Sequence, residues 1–221
     1  MNTSQEPPPR PTIRFAGRTW TVKTSPSPVG PGPNRYSADR VTVTPAGRLR
    51  VAIGATPSGW SCAEVIAHGG FGYGTYRWTV SSTLDTLDAN AVLGLFLWSD
   101  DPAQANRELD IEFSRWGESA PPVSGSFTVA NLAPPNTFRF PSGAGRSEHT
   151  LTWTPGRVAF RSRSGGVHTW GVDSPDVPVP GGGVAPRINL WLFRGRAPSG
   201  PQAVTVEDFS YDPKPPRPTR E

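Results

Sequence analysis

The chain has 221 residues, 22 basic and 18 acidic side chains for a formal charge of +4, and 27 Pro and 24 Gly against a single Cys. That length suits one domain with a sizeable core, the lone Cys62 excludes an internal disulfide, and no apolar run is long enough to span a membrane as a helix. The basic residues are nearly all Arg and are scattered, without a dense run or a nucleic-acid motif, so nucleic acid is not an expected partner.

Met1–Pro11 is polar and Pro-rich, with no hydrophobic signal core. Residues 1–12 and 213–221 read as flexible tails around one domain, 13–212. Within the domain, Gly and Pro cut the chain into short segments that alternate apolar and polar residues, which is the period of a strand and not of a helix. In chain order the expected strands are Thr19–Lys23, Val41–Thr44, Leu49–Ile53, Ala63–His68, Gly74–Ser81, Leu93–Ser99 and Glu108–Phe113. Then follow Ser126–Ala130, Glu148–Trp153, Arg157–Arg163, Val167–Trp170, Arg187–Phe193 and Thr205–Tyr211. Pro45-Ala46-Gly47 and Ser164-Gly165-Gly166 read as hairpin turns. Gly30-Pro31-Gly32-Pro33-Asn34 reads as a loop on a cleft edge, with Asn34 turned toward ligand. So many short strands with turn signals predict an all-β protein, a jelly-roll sandwich of two antiparallel sheets.

Several strands are two-faced. Leu93, Leu95 and Leu97 lie opposite Gly94, Phe96 and Trp98; Ile188, Leu190 and Leu192 lie opposite Asn189 and Trp191; Tyr76, Trp78 and Val80 lie opposite Thr75, Arg77 and Thr79. The aliphatic sets are expected in the inter-sheet core and the mixed sets on an open face. Aromatic rings there would stack on sugar rings, while amides and guanidinium groups such as Arg77 would bond hydroxyls. Cys62 reads as a buried structural thiol, and nothing in the sequence places His68, His149 or His168 beside a nucleophile.

Glu108-Leu109-Asp110-Ile111-Glu112-Phe113 carries the chemistry. On a strand the three carboxylates share one face and the three apolar side chains the other. Adjacent like charges repel, so folding gains nothing from them, whereas glycoside hydrolysis uses two carboxyl groups across a scissile bond. Four residues of strand separate the outer α-carbons by roughly 13 Å at about 3.3 Å per residue. Bent with the acidic face concave, the strand would bring the carboxyls to about 5–5.5 Å, the separation of a retaining mechanism. Crowding must spread the pKa values apart, but spacing leaves open which Glu stays charged.

These residues resemble the family 16 glycoside hydrolases, the β-glucanase family with a concave β-jelly roll, and in particular the lichenase and xyloglucan-transglycosylase branch with its regular Glu-x-Asp-x-Glu strand. Ala63-Glu64-Val65-Ile66 followed by Phe71-Gly72-Tyr73-Gly74-Thr75-Tyr76 looks like the family's strand leading into a Gly-Tyr-Gly-x-Tyr turn. Leu151-Thr152-Trp153-Thr154-Pro155 is similar to its Trp-x-Pro hairpin, and Asn189-Leu190-Trp191 to its cleft strand. The resemblance implies that Glu108 is the nucleophile, Glu112 the general acid and then base, and Asp110 the residue that tunes the pair. It implies sugar binding by Phe96, Trp98, Asn189 and Trp191. It also implies a structural calcium at Asp208 and the Gly47 carbonyl, with no cofactor needed for the chemistry.

The sequence also departs from the family. Arg107 precedes the first Glu, Ser124–Val129 offers only short hydroxyls, and Arg77 and Thr79 stand where lichenases carry Glu and Arg. The expected function is retaining, endo-acting cleavage of a β-linked glucan-type polysaccharide by a monomer, outside the cell as its substrate class suggests, with no membrane involved. A transglycosylase of the same family and a non-catalytic lectin-like protein are the alternatives.

Overall fold

The computed structural model describes residues 10–104, 107–120 and 122–214. The alternation in the sequence resolves there into seventeen strands. They are β1 (Thr12–Phe15), β2 (Arg18–Val22), β3 (Ser25–Val29), β4 (Asn34–Tyr36), β5 (Val41–Val43), β6 (Leu49–Thr56), β7 (Gly59–Ala67), β8 (Gly74–Val80) and β9 (Ala91–Trp98). They continue with β10 (Leu109–Ser114), β11 (Ser124–Val129), β12 (Thr137–Pro141), β13 (Ser147–Thr154), β14 (Arg157–Arg163), β15 (Val167–Asp173), β16 (Ala185–Leu192) and β17 (Gln202–Pro213). Among the described residues the only helix is four short 3-10 turns, and none is long and apolar enough to cross a membrane.

Two antiparallel sheets pack face to face. One runs β1-β2-β7-β16-β9-β10-β11-β12. The other runs β5-β6-β17-β8-β13-β14-β15. The β6–β7 hairpin links them through the pairs Gly54↔Ser61 to Thr56↔Gly59, and β4 adds in parallel beside β7. This is the expected jelly-roll sandwich. Strands β1, β3, β4 and β12 were not legible, because they are short or broken by Pro and alternate weakly. Strand β1 begins at Thr12 and β17 runs to Pro213, so the sheets take one residue from each segment read as a tail; 1–9 and 215–221 lie outside the described residues.

The core is the expected set of apolar faces. Leu93, Leu95 and Leu97 of β9, Leu109, Ile111 and Phe113 of β10, and Ile188 and Leu190 of β16 are fully buried. They face Tyr76, Trp78, Leu151 and Val206 of the second sheet. Each such side chain contributes about 1.5–3 kcal/mol by leaving water. Aromatic contacts cross the same layer, with Trp20 and Phe209 edge to face at 5.2 Å and Phe127 stacked on Phe160 at 5.2 Å. Cys62 is buried as expected, and burial pushes its thiol up to about 12. Asn34 corrects the sequence reading: it is buried, and its amide donates to the carbonyls of Pro31 and Leu192, both at 2.8 Å. It ties the loop down instead of facing ligand.

The core also holds His149 of β13, packed on Phe113 at 4.9 Å. Its Nε2 lies 2.9 Å from the Ser147 hydroxyl and its Nδ1 3.0 Å from the Ser162 hydroxyl. Burial pushes its pKa from 6.5 down to about 3. The folded state therefore refuses a proton that the unfolded state accepts below pH 6.5. Stability is unaffected by this group above that pH and falls as pH drops toward 3, by up to about 1.4 kcal/mol per pH unit. In urea melts taken as a function of pH, His149→Gln should flatten the decline of stability between these two values; parallel curves for variant and wild type would contradict the assignment.

Candidate active site

The register across the first sheet sets the site. Strand β10 pairs without a shift to β9 and β11. With Leu109, Ile111 and Phe113 in the core, Asp110 and Glu112 must point out of the opposite face, and Glu108 continues the alternation just before the strand. One row across this face reads Glu64 (β7), Asn189 (β16), Gly94 (β9), Glu112 (β10), Ser126 (β11), Arg139 (β12). The next reads Arg187, Phe96, Asp110, Thr128. A cleft of about 540 Å³ lies over these rows.

Seven of the eight residues read as catalytic or sugar-binding line that cleft: Glu108, Asp110, Glu112, Phe96, Trp98, Asn189 and Trp191. The eighth does not. Arg77 belongs to β8 of the second sheet, between Thr150 and Ser210, and is exposed. Its face looks outward because Tyr76, Trp78 and Val80 occupy the core on the other side. The cleft's guanidinium comes instead from Arg187, and an additional carboxylate from Glu64. Sequence reasoning missed both, since each sits as a lone charge in an apolar strand. Lys23, Asp100 and Trp116 also line the cleft and were missed.

Burial governs the carboxyl groups. It pushes Asp110 well above the usual carboxylate range, with the charges of Glu108 and Glu112 adding to the effect. Asp110 is therefore biased toward its protonated form, the form that donates a hydrogen bond to Glu108. Burial raises Glu108 as well, and the hydrogen bond from Asp110 and the charge of Arg187 oppose that rise. Glu112 is pushed up to about 8 by burial and by Glu108, against a lowering influence from Arg139. All three carboxyls are thus pushed toward their protonated forms, Glu108 against the opposing pull of the Asp110 hydrogen bond and the Arg187 charge.

An ion-pair chain crosses the cleft floor. Glu64, 1% exposed, receives Lys23 at 2.8 Å and Arg187 at 3.2 Å, and Arg187 reaches on to Asp100 at 2.8 Å. A carboxylate buried this deeply is tolerable only when paired. Lys23 also donates to the Gly30 carbonyl at 2.8 Å and lies over the Tyr36 ring at 4.2 Å, fixing the cleft-edge loop. Asp100 accepts from the Trp98 indole at 3.2 Å, fixing that ring. Among the described residues the Asn189 Oδ1 and the Arg187 Nε are buried without a partner, leaving polar groups for a ligand to satisfy. Gly94 makes room for the Asn189 amide, because a Cβ there would collide with Asn189 Oδ1.

The residues implied as calcium ligands lie on β17 and on the β5–β6 turn. Asp208 is exposed in β17, and Gly47 closes the β5–β6 turn with its N–H on the Thr44 carbonyl at 2.8 Å. Among the described residues no cluster of three metal-ligating side chains forms. The neighbouring Glu207 is held by Arg146 at 2.9 Å and Arg48 at 3.9 Å. Guanidinium groups thus supply the positive charge around Glu207.

No protein-family model matches the chain, and no curated protein matches it. Solved structures share its fold. The β-glucanase of Bacillus licheniformis aligns with a TM-score of 0.66 at 18% identity, covering 88% of this chain and 92% of its own. A family 16 endo-glucanase of Bacteroides ovatus aligns at 0.64 and 12%, over 87% and 94%. A Mycobacterium tuberculosis protein described as an immunostimulatory antigen and pseudo β-1,3-glucanase aligns at 0.61 and 20%, over 87% and 89%. The fold is that of the family 16 glucanases; identities this low speak to fold alone.

The raised Glu112 carboxyl has a cost in stability. Unfolded, it ionises near 4.5; folded, it holds its proton to about 8. Between those pH values the folded state binds the extra proton, so stability falls as pH rises through the window. Glu112→Gln should therefore melt at a higher temperature than wild type at pH 8–9 and converge with it near pH 4, as read by calorimetry. A Tm difference independent of pH would contradict the shift.

Proposed function

We propose that the protein is a retaining, endo-acting glycoside hydrolase that cleaves β-linked glucan-type polysaccharide. One observation carries the reading: three carboxyls, Glu108, Asp110 and Glu112, share one face of a strand at the floor of an aromatic-lined cleft. A structural role explains this poorly, because three desolvated carboxyls cost stability that only chemistry recovers.

In the first step Glu108 attacks the anomeric carbon as the bond to the departing sugar breaks, and Glu112 gives its proton to the leaving oxygen. Asp110 steadies the Glu108 anion through its hydrogen bond and lets it go as the ester forms. In the second step the Glu112 carboxylate takes a proton from water. The water oxygen bonds the anomeric carbon, the ester to Glu108 breaks, and configuration is retained. Phe96, Trp98 and Trp191 offer apolar faces to sugar rings, and the unpartnered Asn189 amide offers a hydrogen bond to a hydroxyl. An acceptor sugar in place of water would make the same site a transglycosylase. A polymeric substrate of this kind places the site of action outside the cell.

Barley β-glucan, laminarin, lichenan, xyloglucan and agarose provide the test. Wild type should release reducing ends from at least one, with the β anomer appearing first by NMR. Activity should fall on the alkaline side near pH 8 as Glu112 ionises. Glu108→Ala and Glu112→Ala should each lose about 10²–10⁴-fold or more in kcat with circular dichroism unchanged. Binding without turnover on all five would replace the enzyme with a lectin-like protein.

A further inference from the structure

Beyond Glu112 the cleft meets an aromatic wall edged by three guanidinium groups. Trp116 follows β10 and lines the cleft. Its ring meets Phe193 edge-on at 5.7 Å, and Phe193 meets Trp191 at 6.5 Å. Arg139 of β12 lies over the Trp116 ring at 5.6 Å, and Arg194 lies over Phe193 at 5.0 Å. Arg196 packs beside Gly117, with Nη1 3.2 Å from where a Cβ would stand. All three arginines are exposed, and among the described residues none makes an ion pair, not even with nearby Glu118.

Two further features separate this rim from an ordinary charged surface. Trp116 and Arg194 are two of the three described non-glycine residues with positive φ, at 56° and 54°. Such conformations cost about 1–3 kcal/mol each and persist only where the surroundings impose them. Here one segment imposes both. The Ala89 carbonyl accepts from Gly117 N–H at 2.8 Å, the Asn90 carbonyl from Phe193 N–H at 2.8 Å, and the Ala91 carbonyl from the Ser114 hydroxyl at 2.9 Å. Ser114 in turn accepts from Trp116 N–H at 2.9 Å. Second, the Trp116 Nε1 is buried beside this positive edge with no partner among the described residues. A guanidinium held over a ring by its charge keeps N–H donors available, which suits an oxyanion better than a hydroxyl.

We propose that this rim is a subsite for an anionic sugar, binding a carboxylate or a sulfate ester carried by the polysaccharide on the side beyond Glu112. Arg139 sits two strands from Glu112 in the same row, so it would meet a sugar unit next to the one being cleaved. Arg194 and Arg196 widen the positive edge along the aromatic wall. The subsite deepens the glycosidase reading by naming its substrate class, and it can be tested through binding alone, so either idea can fail without the other.

Affinity electrophoresis or calorimetry at low salt should compare three polymers with one backbone: barley β-glucan, the same glucan with part of its C6 groups oxidised to carboxylates, and the same glucan O-sulfated. At least one anionic form should bind about tenfold tighter than the parent, with the advantage shrinking as salt screens it. Preference for the oxidised or the sulfated polymer identifies the substituent. Arg139→Gln combined with Arg194→Gln should abolish the preference, so that the anionic polymers bind no tighter than the neutral glucan. Arg161→Gln combined with Arg163→Gln removes the same charge from the exposed face of β14 in the second sheet and should not. Equal losses in the two double variants would reduce the effect to net charge and overturn the subsite, as would equal binding of all three polymers.

Discussion

The burial of Leu109, Ile111 and Phe113 is the constraint on which the site depends. These side chains lock the register of β10 between β9 and β11. Because strand side chains alternate, the same lock turns the three acids out of the core and into the cleft. A slip of one residue would bury three carboxylates between the sheets and expose three large apolar groups. The core thus holds the acids together against their mutual repulsion, and their raised pKa values express the cost.

The Lys23–Glu64–Arg187–Asp100 chain extends this logic across the cleft floor. It compensates one fully buried carboxylate, fixes Trp98 and the Gly30 loop, and places a positive guanidinium near Glu108. The cleft is therefore charged unevenly: acid at its centre, a neutralised network on one side, and on the other arginines that form no ion pair among the described residues.

Fold likeness does not decide among the functional readings. The same sandwich serves a protein called a β-glucanase and another called a pseudo β-1,3-glucanase. Function has to be argued from the site. Here the site gathers three acids, Glu108, Asp110 and Glu112, on one strand face in a cleft lined by aromatic rings.

The sequence by itself determined thirteen of the seventeen strands, the two-sheet class and the face of each strong alternation, because the two-residue period is a local property of the chain. That was enough to find Glu108, Asp110 and Glu112, and to set Phe96, Trp98, Asn189 and Trp191 on an open face. Only the tertiary structure decided which sheet each strand joined. Arg77 shows the difference: its outward face was legible, but β8 lies in the sheet away from the cleft, and no local pattern records that. Glu64, Lys23 and Arg187 meet across more than a hundred residues of chain at the widest, and Arg139 rides on a strand too weakly patterned to recognise. Partnerships of this kind arise from long-range pairing of strands, and a pattern with a period of two residues carries no information about its neighbour across the ladder.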